Sequence, residues 1–207
     1  MIKNFFIVIT FLFILGCSGS KNLKASLFTS QESALIMNAD SLKPMRIYKI
    51  NNKKDSLLLR SKSNYINPDA NNIELNHFIK RLYATVRDSM SMGVGIAAPQ
   101  VGILKNIIWV QRFDKDLFPF EVYLNPKITS YSDKKQTVKE GCLSIPNRSD
   151  TLNSRHFKIT ISYDTLTSRQ KTETIEGFTA VIFQHEIDHL NGILYLDHLK
   201  KDISDTK

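Results

Sequence analysis

His185 and His189 stand four residues apart in the run Gln184 to Asn191, which reads QHEIDHLN, and Glu186 follows the first of them. At 3.6 residues per helical turn, two residues four apart project from one face, so both imidazoles can reach a single cation. Glu186 then lies where a carboxylate can act as a general base on water beside that ion without ligating it. The apolar run Phe178 to Phe183 just before it predicts that the segment is helical. The string is a weak signal by itself, because two helix histidines satisfied by neighbouring side chains would read the same. A third ligand and a site for developing negative charge would strengthen it.

Two other stretches can supply them. Gly93 to Gln100, GVGIAAPQ, sets glycine and alanine where a backbone must come close to something, and ends in an amide side chain. A glycine pair can equally mark a plain turn. Glu140 to Ser144, EGCLS, presents a thiol just after a glycine, in a loop or at a strand end. The chain has only two cysteines, Cys17 and Cys142, so no disulfide framework is expected, and Cys142 is either a core thiol or a metal ligand.

The elements that must position these residues follow from hydrophobic periodicity. From Asn72, a plausible N-cap, Leu75, Phe78, Ile79, Leu82, Tyr83, Val86 and Met90 recur at helical spacing, with Asn76, Lys80, Arg81 and Asp88 on the other side. Residues 106–111, 121–124, 158–163 and 172–176 read as strands, with Asn125-Pro126 closing the second and the last two forming a hairpin. Gly192 is placed to stop the late helix. Strands followed by one late apolar helix predict an α+β fold: short, mostly antiparallel sheets packed around a central C-terminal HExxH helix, with an additional N-terminal amphipathic helix.

A length of 207 residues with 42% hydrophobic and 23% charged residues suits one globular domain and excludes disordered and collagen-like chains. The ends differ from that average. Lys3 precedes the apolar run Phe5 to Leu15, which is too short to span a bilayer stably but suits a secretion signal. Ile14-Leu15-Gly16-Cys17 resembles a bacterial lipobox, in which the cysteine is lipidated and becomes the first residue of the mature chain. The expected organisation is a lipoprotein-type signal peptide over 1–16, a flexible tether over 17–42 and a catalytic domain over 43–207. That predicts a membrane-anchored lipoprotein facing the periplasm or the cell exterior, the alternative being a cytoplasmic protein. The net charge of +8 is spread in pairs such as Lys53-Lys54, Lys134-Lys135 and Lys200-Lys201, without interleaved aromatics, so no nucleic-acid partner is expected.

Taken together and in this order, GVGIAAPQ at 93–100, EGCLS at 140–144 and HEIDH at 185–189 resemble the peptide deformylase family, over roughly Met45 to Leu199. The resemblance implies that Cys142, His185 and His189 are the metal ligands and Glu186 is the catalytic acid/base. It implies that Gln100 and the backbone N–H of Leu143 bind the oxyanion, and that Gly95 lies against the substrate. One divalent ion is implied, Fe(II) by family habit, with Zn(II) or Ni(II) able to substitute. The implied activity removes the N-terminal formyl group from formyl-methionyl peptides, in a monomer. Ile96, Phe178 and Ile182 are candidates for the pocket of the methionine side chain. Asp188 and Arg155 are candidates for a pair that orients His189 or the Cys142 loop.

The chain also departs from the family pattern. The loop after EGCLS is one residue longer than expected, so either Arg148 or Arg155 could be the arginine that meets the peptide. Only 18 residues follow His189. Two rival readings remain: a lipoprotein amidase or peptidase of other specificity, and a binding module that keeps the fold without catalysis. A protease of the HExxHxxGxxH type would need a third histidine where Tyr195 stands.

Overall fold

A computed structural model describes residues 26–89 and 92–205. The expected signal peptide, Cys17 and the first part of the tether lie outside them. Five helices and seven strands make up the described chain: α1 Ser30–Met37, α2 Lys53–Leu59, α3 Ile73–Arg87, β1 Gly95–Ala97, β2 Ile107–Gln111, β3 Phe120–Tyr131, β4 Lys135–Cys142, β5 Ile145–His156, β6 Lys158–Asp164, β7 Gln170–Glu176, α4 Gly177–Leu190 and α5 Tyr195–Asp205. A short 3-10 turn, Ala98–Val101, follows β1. Five strands form one antiparallel sheet in the order β1-β2-β3-β6-β7, and β4 pairs with β5 in a separate two-stranded sheet.

The large sheet is covered on both sides. Ile108, Val110, Tyr123, Ile159 and Ile161 pack with Ala180, Ile182, Phe183 and Ile187 of α4. Ile96, Ile107 and Leu124 face the opposite way, onto Leu75, Phe78, Leu82 and Val86 of α3. Alternation along each strand produces both faces, because successive side chains point to opposite sides. The Asn72 carboxamide caps α3 by accepting from the Leu75 amide at 2.8 Å. At the other end of the site helix, Gly192 adopts φ +71 just past the Asn191 cap, and an added Cβ there would meet the Arg60 carbonyl oxygen at 2.4 Å.

Three expectations need correction. The tether over 17–42 is folded from Phe28 onward: Thr29 and Glu32 form a capping box for α1, and Phe28 and Ile36 are buried against α3. Arg81, expected on the polar side of α3, is buried because α1 covers it. Its guanidinium donates to the Leu35 and Ile36 carbonyls at 3.0 and 2.9 Å, which satisfies the C-terminal end of α1. Asn125-Pro126 does not end a strand. β3 runs through it to Tyr131 with a register shift between Leu124 and Lys127, an irregularity that accommodates the proline's missing N–H.

Asn125 has φ +51 and is buried; its side chain accepts from the Ile66 amide at 2.9 Å and donates to the Ile66 carbonyl at 2.8 Å. Asn125→Ala would orphan both Ile66 groups and force a Cβ residue without local hydrogen bonding into a left-handed conformation. Urea unfolding should show a loss of about 3 kcal/mol, with Asn125→Gly recovering about 1 kcal/mol of it.

Candidate metal centre and cleft

The β4–β5 hairpin and helix α4 converge at one point. EGCLS folds as the end of β4 and a two-residue turn at Leu143-Ser144, with Cys142 opposite Ile145, the first residue of β5. Cys142, His185 and His189 each offer a ligand atom, all within 4.8 Å of one another, and Cys142 Sγ lies 3.2 Å from His189 Nε2. Ligand bonds of about 2.3 Å to sulfur and about 2.1 Å to nitrogen in a tetrahedral shell would put such atoms about 3.6 Å apart. A thiolate with two imidazoles is a donor set for a first-row divalent ion, so the residues fit one.

Neighbouring groups fix these donors. His185 Nδ1 lies 2.7 Å from Glu140 Oε2. An ionised carboxylate can only accept, so the proton sits on Nδ1 and Nε2 keeps its lone pair for an ion. Arg155 holds Glu140 in turn through Nε at 2.6 Å and Nη2 at 3.0 Å, and reaches Asp188 through Nη1 at 2.6 Å. Burial would lift the Glu140 carboxyl, yet His185 and Arg155 hold it well below its ordinary range. Burial likewise opposes ionisation of Cys142, but His189 and His185 outweigh it and bring the thiol well below its usual value. Sequence reasoning left Glu140 without a role, although its place two residues before the thiol, on the same face of a strand, was the available signal.

Glu186 stands beside the donors, nearly sealed from solvent, and its Oε2 has no hydrogen-bond partner among the described residues. Burial pushes its carboxyl up to about 7 against the pull of the two histidines. A carboxyl near neutrality can both take and return a proton. Gln100 Oε1 accepts from the Ala97 amide at 2.9 Å, so the amide cannot flip without losing that bond. Its Nε2 therefore faces Ser144 Oγ at 3.3 Å and Cys142 Sγ at 3.6 Å.

A cleft of about 470 Å³ opens beside these groups, walled by Gly93 to Gly95 on one side and Lys139 to Leu143 on the other. β1 is the edge of the large sheet and β4 has one unpaired edge, so backbone groups of two strand edges flank the cleft. Gly95 is required by close approach: an added Cβ would meet Glu186 Oε1 at 2.5 Å and Ile182 Cγ2 at 2.8 Å.

Of the pocket candidates, Phe178 and Ile182 line the cleft. Ile96 does not; one residue past Gly95 on the strand, it points the other way and is fully buried in the α3 core. Val181 and Ile145, which were not among the pocket candidates, add apolar wall, as does Leu143, expected there only for its backbone N–H. Arg155 is consumed by its two carboxylates, whereas Arg148 lines the cleft. Tyr195 donates its hydroxyl to Asp150 at 2.9 Å.

The sequence profile described as polypeptide deformylase matches residues 44–204. The chain belongs to the peptide deformylase family. A peptide deformylase from Desulforudis audaxviator is 42% identical over 121 residues, which is 58% of this chain and 76% of that protein. One from Leptospira biflexa is 37% identical over 134 residues, covering 61% and 73% of the two chains. Among solved structures, a class I type b peptide deformylase from Acinetobacter baumannii with Met-Ala-Ser bound superposes with a TM-score of 0.64 at 32% identity, over 75% of this chain and 98% of that one. The Thermotoga maritima enzyme gives 0.65 at 29% identity, over 75% and 97%. The mixed helical and antiparallel-sheet fold is that of the family. Members are hydrolases that remove N-formyl groups from nascent peptides with a single divalent metal, typically Fe(II), zinc and nickel being consistent alternatives.

Gly95→Ala should leave the ligand set intact and displace the Glu186 carboxylate. We expect metal content by elemental analysis to stay at the wild-type level while formate release falls about 100-fold, as misplacement near 1 Å commonly costs.

Proposed function

We propose that Cys142 Sγ and the Nε2 atoms of His185 and His189 hold the ion of a working deformylase, and that the residues around it divide the reaction as follows. The observation that carries this is the convergence of those three donors beside a buried, unpartnered Glu186 carboxylate. When bound, the ion supplies Lewis acidity, polarising the formyl carbonyl and lowering the pKa of attacking water. Glu186 takes the proton of that water on its free oxygen and returns it to the departing amine, so formate and a free N-terminus leave. Gln100 Nε2, with the Leu143 backbone N–H as second donor, meets the negative charge that develops on the carbonyl oxygen, each worth about 3 kcal/mol. Gly95 keeps the β1 side of the cleft low enough for a peptide backbone to lie against it.

The peptide enters as an added strand between the edges of β1 and β4. Ile182 and Phe178, with Val181 and Ile145, receive the methionine side chain. Arg148 rather than Arg155 faces the peptide, because Arg155 is already paired on both sides. In this reading α4 is the element around which the sheets are organised, and the amphipathic α3 backs the β1 wall. Fe(II) is the ion we assign, since thiolate donation suits a soft site, with Zn(II) or Ni(II) as substitutes.

Residues 1–16 are proposed as a lipoprotein signal, and Cys17 as the lipidated residue of a domain held at a membrane facing the periplasm or cell exterior. The motif Leu15-Gly16-Cys17 and the polar residues after it support this. No helix of the described residues is long and apolar enough to cross a membrane. Labelled palmitate should be incorporated by the wild type and not by Cys17→Ala; a mature protein beginning at Met1 without label would overturn the anchor.

The activity itself is tested by formate release from formyl-Met peptides together with metal analysis. Glu186→Gln should retain about one ion per chain and lose at least 100-fold in turnover. Cleavage of unformylated peptides would instead indicate a peptidase, and ion binding without any hydrolysis would indicate a binding module.

A further inference from the structure

The charges along the cleft are unevenly placed. Its two carboxylates, Glu140 and Glu186, are buried at the ion end. The wall also carries Lys139 and Arg148. Arg148 has a partner, since its Nε lies 2.7 Å from Asp150 Oδ2. Lys139 is exposed and makes no ion pair among the described residues, so it leaves uncompensated positive charge at the cleft wall.

Its distance from the reaction centre is set by the strand. Lys139 precedes Cys142 by three residues on β4, and at about 3.3 Å per residue this is roughly 10 Å along the edge. An extended formyl-tripeptide lying on that edge, with its formyl group at Cys142, ends after about the same length. Lys139 lies on the exposed face of β4, and its four-carbon stem lets the ammonium swing to the strand edge. A longer protein chain passing this point offers only a neutral amide. A free tripeptide offers an α-carboxylate.

We propose that Lys139, assisted by Arg148, binds the α-carboxylate of short free formyl-peptides, and that three-residue peptides of this kind are a preferred substrate class. This rests on the deformylase reading above. The same chemistry could be met by an acidic side chain at the third position, and the two sources can be told apart.

The test uses the metal-loaded full chain and three substrates: formyl-Met-Ala-Ser as the free acid, the same peptide as its C-terminal amide, and formyl-Met-Ala-Asp amide. At low ionic strength the wild type should show kcat/KM about fivefold higher for the free acid than for its amide, the value of an exposed ion pair near 1 kcal/mol. Added salt should erode that ratio, and Lys139→Gln should bring it to about one. The ratio is insensitive to partial misfolding, which lowers both rates together. Equal rates on acid and amide in the wild type, or an unchanged ratio in Lys139→Gln, would overturn the proposal. So would a clear preference for the aspartyl amide over the free acid. Formate release from none of the three overturns the deformylase reading as well.

Discussion

Arg155 is the cation on which the site's geometry depends. It is 3% exposed and lies between Glu140 on the hairpin and Asp188 on the helix, so one guanidinium spans the two elements that carry the three candidate donors. Glu140 passes that constraint to His185, and His198 on α5 meets Asp188 from the other side at 2.8 Å. Removing one member of such a buried set costs about 3–5 kcal/mol because the others are left charged and unpaired. A second clamp repeats the logic with neutral groups. The Gln184 amide accepts from the His156 N–H at 3.0 Å and donates to the His156 carbonyl at 2.9 Å, fastening the far end of β5 to α4.

The N-terminal segment adds a third restraint on the opposite side. The Tyr48 amide donates to the Gln100 carbonyl at 2.7 Å and the Ile50 amide to the Ser144 carbonyl at 3.0 Å, so one short stretch bridges the amide wall and the thiol turn. Tyr48 also packs where Gly102 has no side chain: at φ +86, an added Cβ would lie 2.5 Å from the tyrosine ring. Two glycines flanking the amide residue therefore serve two neighbours, with Gly95 admitting Glu186 and Gly102 admitting Tyr48. The first of these was expected from the sequence to lie against the substrate; its closest approach is to Glu186.

What could be read in advance followed how strongly burial imprints a period. β2, β6 and the helices α3 and α4 carry enough buried apolar residues to reveal themselves; β7, where Ile175 alone is buried, is legible instead as the hairpin partner of β6. The β4–β5 hairpin does not. Its first strand, KQTVKEGC, has valine as its one branched apolar residue, and its turn is Leu-Ser rather than one of the Asn-Gly or Asp-Gly pairs that mark tight hairpins. Its inward positions are instead filled by Glu140 and Cys142, whose burial is compensated by partners on other elements that no local pattern can display. α1 fell inside the expected tether for a different reason. Thr29 and Glu32 spell its capping box, but the polar composition around them reads as a linker until Arg81 closes its far end. Cys142, His185, His189, Glu186 and Gln100 could be picked out as candidates because chemistry restricts residue type and spacing, and the structure brings them to one cleft. Arg148 and Arg155 were not separable, since only the fold reveals that Arg155 is buried between two carboxylates while Arg148, paired with Asp150, stays half-exposed at the cleft.

The sulfur and the two nitrogens arrive from segments more than forty residues apart, on a hairpin and a helix. An ion that bridges them is therefore a tertiary cross-link, and its binding free energy is added to the cohesion of the whole domain. For this molecule a chelator would then act as a mild denaturant, with ion occupancy and melting temperature rising and falling together.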